Sequence, residues 1–187
     1  MALSKDPSAA CEIDTPLGVV TCLAVPEGVR AITFDADKPP AFTNPDPRAA
    51  KHLDLLTVQL DDFFLGRLDR FTVPLDPLGT PFQQRVWELL RTIPFGETRS
   101  YAWLADRLAL PGGSRAVGAA NGANPIAIVI PCHRVIRSDG DLCGYAGGIR
   151  RKKWLLEHEG AQQPTLFTPV ETSDADRHHS GPPVYRP

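Results

Sequence analysis

Cys132 and His133 stand side by side in the run Pro131-Cys132-His133-Arg134-Val135. A thiol next to an imidazole is the material from which a cysteine nucleophile and its base are made. The residues before it, 126–130, read Ile-Ala-Ile-Val-Ile, short and β-branched, and predict a buried strand. After it come a turn at 138–141 and the glycine-rich run 144–148, Gly-Tyr-Ala-Gly-Gly. A thiol delivered by the end of a buried strand, between flexible loops, is how a positioned nucleophile reads. The competing reading is a buried core cysteine, since free Cys is among the most buried residue types. The pentapeptide alone leaves both open.

The chain around this pair has 187 residues, 42% of them apolar and 22% charged. That is enough for a core, in one domain of ordinary size or two small ones. No apolar run approaches the roughly 18 residues of a membrane span, and the first eight residues lack the apolar centre of a signal peptide. A cytoplasmic location is expected. Cys11, Cys22, Cys132 and Cys143 are few and irregularly spaced, which predicts reduced thiols rather than a disulfide framework. Cys11, Cys22 and His52 match no compact zinc spacing, so no metal is expected.

Net charge is −2 but uneven. Residues 1–77 carry 7 basic against 12 acidic side chains, residues 78–162 carry 11 against 7, and residues 163–187 carry 2 against 3. The basic excess of 4 sits with Cys132, a weak hint of a polyanionic partner.

The elements that must position the thiol are legible in outline. Residues 1–10 read as a loose leader. Residues 17–25 and 29–34 predict a β-hairpin around the turn Pro26-Glu27-Gly28. Residues 37–47 hold four prolines and predict a loop. Leu53, Leu56, Leu60 and Phe64 fall at helical spacing within a helix from Ala49 to Leu65. Residues 71–75 predict a short edge strand, because Pro74 forbids a central one. This half reads as a small α/β or α+β unit, 1–77, without a catalytic constellation. The second unit, 78–162, opens with a helix capped by Thr80, with Pro81 at its first position and Gln83 closing a capping box. Phe82, Val86, Leu89, Leu90 and Ile93 form its inward stripe.

Ser100 caps a second helix to Leu110, with Leu104, Ala105 and Leu108 inward. Pro111-Gly112-Gly113 turns the chain. Ser114 caps a third helix from Arg115 to Ala123. Two short helices joined by a glycine turn form the helix-turn-helix pattern. The third helix is nearly all Ala and Gly, poor at filling a core and suited to close approach, with Arg115 at its start projecting outward. A fourth helix runs from Arg150 to Gly160. Glu159 lies at its C-terminal end, where the macrodipole disfavours a carboxylate, which predicts a partner such as His133. Residues 163–187, rich in proline and containing His178 and His179, read as a flexible tail.

The run Ile130-Pro-Cys-His-Arg-Val135, with Gly144-Tyr-Ala-Gly-Gly148, Trp154-Leu-Leu156 and His158-Glu-Gly160, resembles the O6-alkylguanine-DNA alkyltransferases, the methylated-DNA–protein-cysteine methyltransferases, of bacterial type. The likeness extends from Thr80 to Gly160 and takes in Phe95-Gly-Glu-Thr-Arg-Ser-Tyr101 and Arg115-Ala-Val-Gly118. It implies an α+β chain: a small ribonuclease-H-like α/β domain, then a mostly helical, winged helix-turn-helix-like domain.

The resemblance further implies that Cys132 accepts the alkyl group, that His133 is its base and that Glu159 orients His133. Asn124 would bond to the backbone near the thiol. Arg115 would fill the gap left by an extruded base, and Tyr101 would press on the target nucleotide. Ser114, Ala116, Gly118 and Ala119 would face DNA. Val135, Ala146, Tyr145, Ala127 and Gly147 would shape the pocket. Some family members have proline at Ala127 and serine at Ala146, so this chain is expected to tolerate groups larger than methyl. The implied partner is double-stranded DNA carrying O6-alkylguanine, with O4-alkylthymine as a further substrate, acted on by a monomer without cofactor. A buried lesion needs base flipping, and an alkyl carbon needs a thiolate, which predicts a lowered Cys132 pKa. The thioether product is not hydrolysed, so each molecule should act once. A non-catalytic lesion-binding or helix-turn-helix regulatory protein, and a cysteine hydrolase, are the alternatives.

Overall fold

Small and β-branched residues near the N-terminus form an antiparallel sheet. The computed structural model describes residues 7–34, 42–142 and 144–161. Strands β1 (Ala9–Ile13), β2 (Val20–Val25) and β3 (Gly28–Phe34) pair in that order. The β2–β3 hairpin is the one expected. β1 is a correction, since residues 9–10 were assigned to a loose leader. Its local signal is weak, and pairing decides it: Ala9 and Ile13 are buried, and Cys11 lies opposite Cys22. His52 donates through Nε2 to the Pro26 carbonyl oxygen at 3.2 Å.

Helix α1 (Pro47–Phe64) packs on this sheet through Leu53, Leu56, Leu60 and Phe63. It starts two residues before the expected Ala49 because the Asp46 carboxylate accepts from the Arg48 and Ala49 amides. The expected edge strand at 71–75 is not formed. Gln59 Oε1 accepts from the Thr72 and Val73 amides at 2.9 and 3.1 Å, and only Leu75 bridges to Val29. A side chain takes the donors that a ladder would have used. Arg30 and Asp76 then form an ion pair as the chain leaves this sheet.

Helix α2 (Pro81–Leu90) carries the expected capping box of Thr80 and Gln83. Trp87, buried within it, donates Nε1–H to Ala120 O at 2.9 Å and pins it to the later helix that carries Ala120. Phe82 and Leu89, expected inward, are only half-buried. Strand β4 (Arg99–Ser100) leads into α3 (Tyr101–Arg107), with Ser100 as its cap. That helix stops short of the expected Leu110, and Ala109 takes φ 54°. Helix α4 (Ser114–Gly122) packs on α3. Ser114 is its first residue and not its cap: Gly113 holds the cap position without a side-chain bond.

The predicted strand at 126–130 is a buried turn. Ile126 alone bridges to Ile32, Ile128 adopts φ 70°, and the Ile130 amide returns to Ile126 O at 3.1 Å. Five apolar residues reported burial here, not extension. A single 3-10 turn, Cys132–Arg134, follows, then β5 (Val135–Ile136), which runs parallel to β4 with Arg99 opposite Val135. This short ladder sets Tyr101 beside the thiol segment. Helix α5 (Ile149–His158), flanked by Gly148 and Glu159, begins one residue before the expected Arg150 and ends two residues before Gly160. Among the described residues no helix is long and apolar enough to cross a membrane. Cys143, most of the predicted leader, residues 37–41 of the predicted loop and the tail beyond Ala161, including His178 and His179, lie outside the described residues.

Candidate active site

Cys132 opens the 3-10 turn and is 5% exposed. Its sulfur accepts from Asn124 Nδ2 at 3.0 Å. Asn124 also donates to Ile130 O at 2.8 Å and accepts from the Ile126 amide at 3.0 Å. One side chain therefore closes the turn at 126–130 and holds the thiol at its end. Ile128 is a β-branched residue at positive φ, a strained conformation. Asn121, buried on α4, donates to Cys132 O at 3.4 Å, so the helix reaches the thiol segment directly.

His133 is fully buried, and its Nε2 lies 2.8 Å from Glu159 Oε1. Glu159 accepts two further bonds from Arg134, Nε to Oε2 at 2.8 Å and Nη2 to Oε1 at 3.0 Å. Arg134 Nη1 donates to Ile93 O at 2.6 Å. Burial pushes the Glu159 carboxyl up, but the His133 and Arg134 hydrogen bonds and the Arg134 charge prevail and bring it to about 2. Burial pushes His133 down from its ordinary 6.5 despite Glu159, so the ring is neutral. An ionised carboxylate only accepts, so Nε2 carries the proton and Nδ1 the lone pair. Nδ1 has no hydrogen-bond partner among the described residues.

The helix-end carboxylate is thus compensated, as its position demanded. His133 was the expected partner, and Arg134 was missed. Its signal was its place next to His133 in the motif. Gly96 makes room for this group. It sits at φ 77°, and a Cβ there would stand 2.9 Å from Glu159 O. The run Phe95-Gly96 thereby supports α5 from below, with Arg134 over the Phe95 ring at 5.8 Å. Lys152, also missed, is fully buried and donates to Val135 O at 2.6 Å.

The Cys132 thiol is pushed up by burial, only partly offset by the Asn124 hydrogen bond, the Lys152 charge and local backbone donors. This corrects the expectation of a lowered value. The neighbouring donors offset part of the cost that burial places on a thiolate, and the resting form is the thiol. Tyr145 meets His133 edge-on, with ring centroids 6.5 Å apart. Val135 is buried beneath, Ala127 is half-buried and Ala146 exposed. Arg115, Ala116 and Ala119 form an exposed face of α4, while Ser114 and Gly118 are half-buried. Tyr101 and Ser114 meet at a depression of about 370 Å3 that Arg137, Ser138 and Asp139 complete. The geometry brings together a thiol, a neutral imidazole with one lone pair free, and a locked carboxylate.

Residues 81–161 match the family model described as the 6-O-methylguanine DNA methyltransferase DNA binding domain. The chain is 47% identical over 159 residues to a methylated-DNA–protein-cysteine methyltransferase of Mycobacterium tuberculosis, covering 83% of this chain and 94% of that protein. A Shigella flexneri protein of the same name is 56% identical over 106 residues, 56% of this chain and 62% of that one. The crystal structure of Mycobacterium tuberculosis OGT in complex with DNA superposes with a TM-score of 0.70 at 48% identity, covering 80% of this chain and 91% of that one. An O6-methylguanine-DNA methyltransferase from Pyrococcus kodakaraensis gives 0.55 at 28% identity, covering 81% and 98%. With nearly half its residues shared along almost the whole of such a relative, this chain belongs to the methylated-DNA–protein-cysteine methyltransferase family.

Proposed function

We propose that the chain repairs duplex DNA by moving the alkyl group of O6-alkylguanine onto Cys132, once per molecule. The observation that carries this reading is the Cys132 sulfur held by Asn124 directly before the His133–Glu159–Arg134 array. The Cys132 proton passes to His133 Nδ1, through a water or directly, while Glu159, held in place by Arg134, stabilises the charged ring. The sulfur attacks the alkyl carbon, the bond from that carbon to O6 breaks, and a carbon–sulfur bond forms. The proton returns to guanine, which leaves as the neutral base. The thioether has no hydrolytic exit, so the thiol is consumed.

A base inside the stack is out of reach of a recessed sulfur, so the nucleotide must leave the duplex first. The exposed Arg115, Ala116 and Ala119, with Ser114 and Gly118 beside them, form the face of α4 for groove contact. Arg115 occupies the space the base vacates, and Tyr101 presses on the nucleotide and donates to the guanine. Tyr145, Ala146, Gly147, Ala127 and Val135 line its pocket, and small side chains at Ala127 and Ala146 leave room for groups larger than methyl. O4-alkylthymine is the further substrate. Residues 1–77 are the ribonuclease-H-like unit and residues 78–162 the winged helix-turn-helix-like acceptor unit of a cytoplasmic monomer, with 163–187 as a tail.

The test uses duplex DNA with a radiolabelled O6-methyl group. Label should move to the wild-type protein and not to Cys132→Ala. Label on Cys132→Ala at the wild-type level would remove the assignment.

A further inference from the structure

The segment that carries Tyr145 is held from outside the acceptor unit. Gly147 lies between two aromatic rings: a Cβ there would stand 2.7 Å from Tyr145 Cε1 and 2.9 Å from Phe34 Cδ2. Phe34 is the last residue of β3, in the N-terminal sheet. Arg151, in the first turn of α5, lies over that ring at 4.5 Å from its centroid. Its Nη1 donates to Gly147 O at 3.1 Å and its Nε donates to Leu17 O at 3.0 Å. One guanidinium thus ties the N-terminal sheet, the Tyr145 segment and α5 together. A planar cation that stacks and donates in fixed directions suits this role, and lysine would not replace it.

The same strand touches the other side of the site. The Ile32 amide donates to Pro125 O at 2.9 Å, and Ile32 O accepts from the Ala127 amide at 3.1 Å. β3 therefore borders both the turn with Asn124 and Ala127 and the segment with Tyr145. The buried Tyr145 hydroxyl has no hydrogen-bond partner among the described residues. The place of that ring rests on packing, with His133 on one side and the Gly147–Phe34 contact on the other.

We infer that Phe34 and Arg151 are positioning residues that set how far the Tyr145–Gly148 segment stands from Cys132, and thereby which alkyl groups the thiol accepts. This rests on the alkyl-acceptor reading above. Neither residue touches the reacting atoms. They act as a stop, fixed to a separate sheet, that keeps the pocket wall close to the sulfur. Removing the stop lets the wall retreat, which favours bulky groups and leaves methyl less well held.

The test compares single-turnover rates on one duplex carrying either O6-methylguanine or O6-benzylguanine. Phe34→Ala should raise the benzyl-to-methyl rate ratio by roughly tenfold, the scale on which pocket size discriminates. Arg151→Gln should move it the same way, and Phe34→Tyr should keep the wild-type ratio. The double variant should change the ratio by less than the product of the singles, since both act on one contact. A purely structural role would lower stability, or both rates alike, without moving the ratio. If Phe34→Ala does not fold, Arg151→Gln decides. Wild-type ratios within about twofold in the folded single variants would overturn the inference while leaving the acceptor reading intact. No transfer by the wild-type chain from either duplex would overturn both.

Discussion

The Arg134 guanidinium grips the Glu159 carboxylate through two hydrogen bonds, at 2.8 and 3.0 Å, inside the protein. Glu159 is 4% exposed, and His133, which shares it, is fully buried. Without the guanidinium the carboxylate faces only a neutral ring. Arg134→Leu should therefore cost about 3–5 kcal/mol, the scale for a buried charge left unpaired. Urea unfolding measures this as a lowered midpoint. Arg134→Leu combined with Glu159→Leu should be more stable than Arg134→Leu alone, because the orphan charge is gone.

Stability should fall in acid in two stages. His133 is held below its ordinary 6.5 in the folded chain, so the unfolded chain binds its proton first and stability declines as pH drops below that value. Glu159 ionises at about 2 when folded against an ordinary 4.5, so its contribution is complete above 4.5 and lost as pH falls towards 2. That gap corresponds to about 3 kcal/mol. Urea midpoints measured across acid pH should show both stages. Glu159→Gln should abolish the lower one.

Cys132 and Cys11 should respond in opposite order to two electrophiles. The Cys11 thiol is half-exposed and lowered by its hydrogen bond with Cys22, whereas burial raises Cys132. Iodoacetamide at neutral pH should label the Cys11 peptide first, because the thiolate is the reactive form. DNA carrying O6-methylguanine should methylate the Cys132 peptide alone. Peptide mapping by mass spectrometry reads both. Preferential iodoacetamide labelling of Cys132 would mean that its thiol is ionised at rest.

Arg115 is exposed at the start of a helix whose outward face is Ala116 and Ala119. Arg115→Ala should slow repair of duplex DNA by about 10–100-fold, the kinetic equivalent of losing part of a flipping energy of a few kcal/mol. Reaction with free O6-alkylguanine base should change little. Single-turnover rates on both substrates check this, and equal losses would contradict a flipping role.

Much of the site was readable because its chemistry is local in sequence. Cys132 and His133 are neighbours, and Glu159 betrayed itself as a carboxylate at the wrong end of a helix. Arg115 stood out as the outward arginine opening an Ala/Gly helix, whereas its flipping role and the place of Asn124 came through the family resemblance. Arg134 and Lys152 escaped, since one extra arginine or lysine in a basic segment carries no mark of burial. The turn at 126–130 was misread because a buried turn and a buried strand share one composition, and the Asn124 side chain that folds it acts across the turn. β1 escaped for a related reason: its pairing with β2 lies outside its own five residues. The Cys132 pKa was misjudged because the expectation came from the reaction's need for a thiolate, and desolvation is not visible in sequence.

In the proposed repair, one sulfur takes one alkyl group and is finished. Intact-protein and peptide mass spectrometry after incubation with excess duplex bearing O6-methylguanine tests it most directly. One methyl should replace one hydrogen on the peptide containing Cys132, with repaired guanine formed in equal amount to protein. Guanine formed in several-fold excess over protein, or a methyl group carried on another residue while Cys132 stays free, would contradict it.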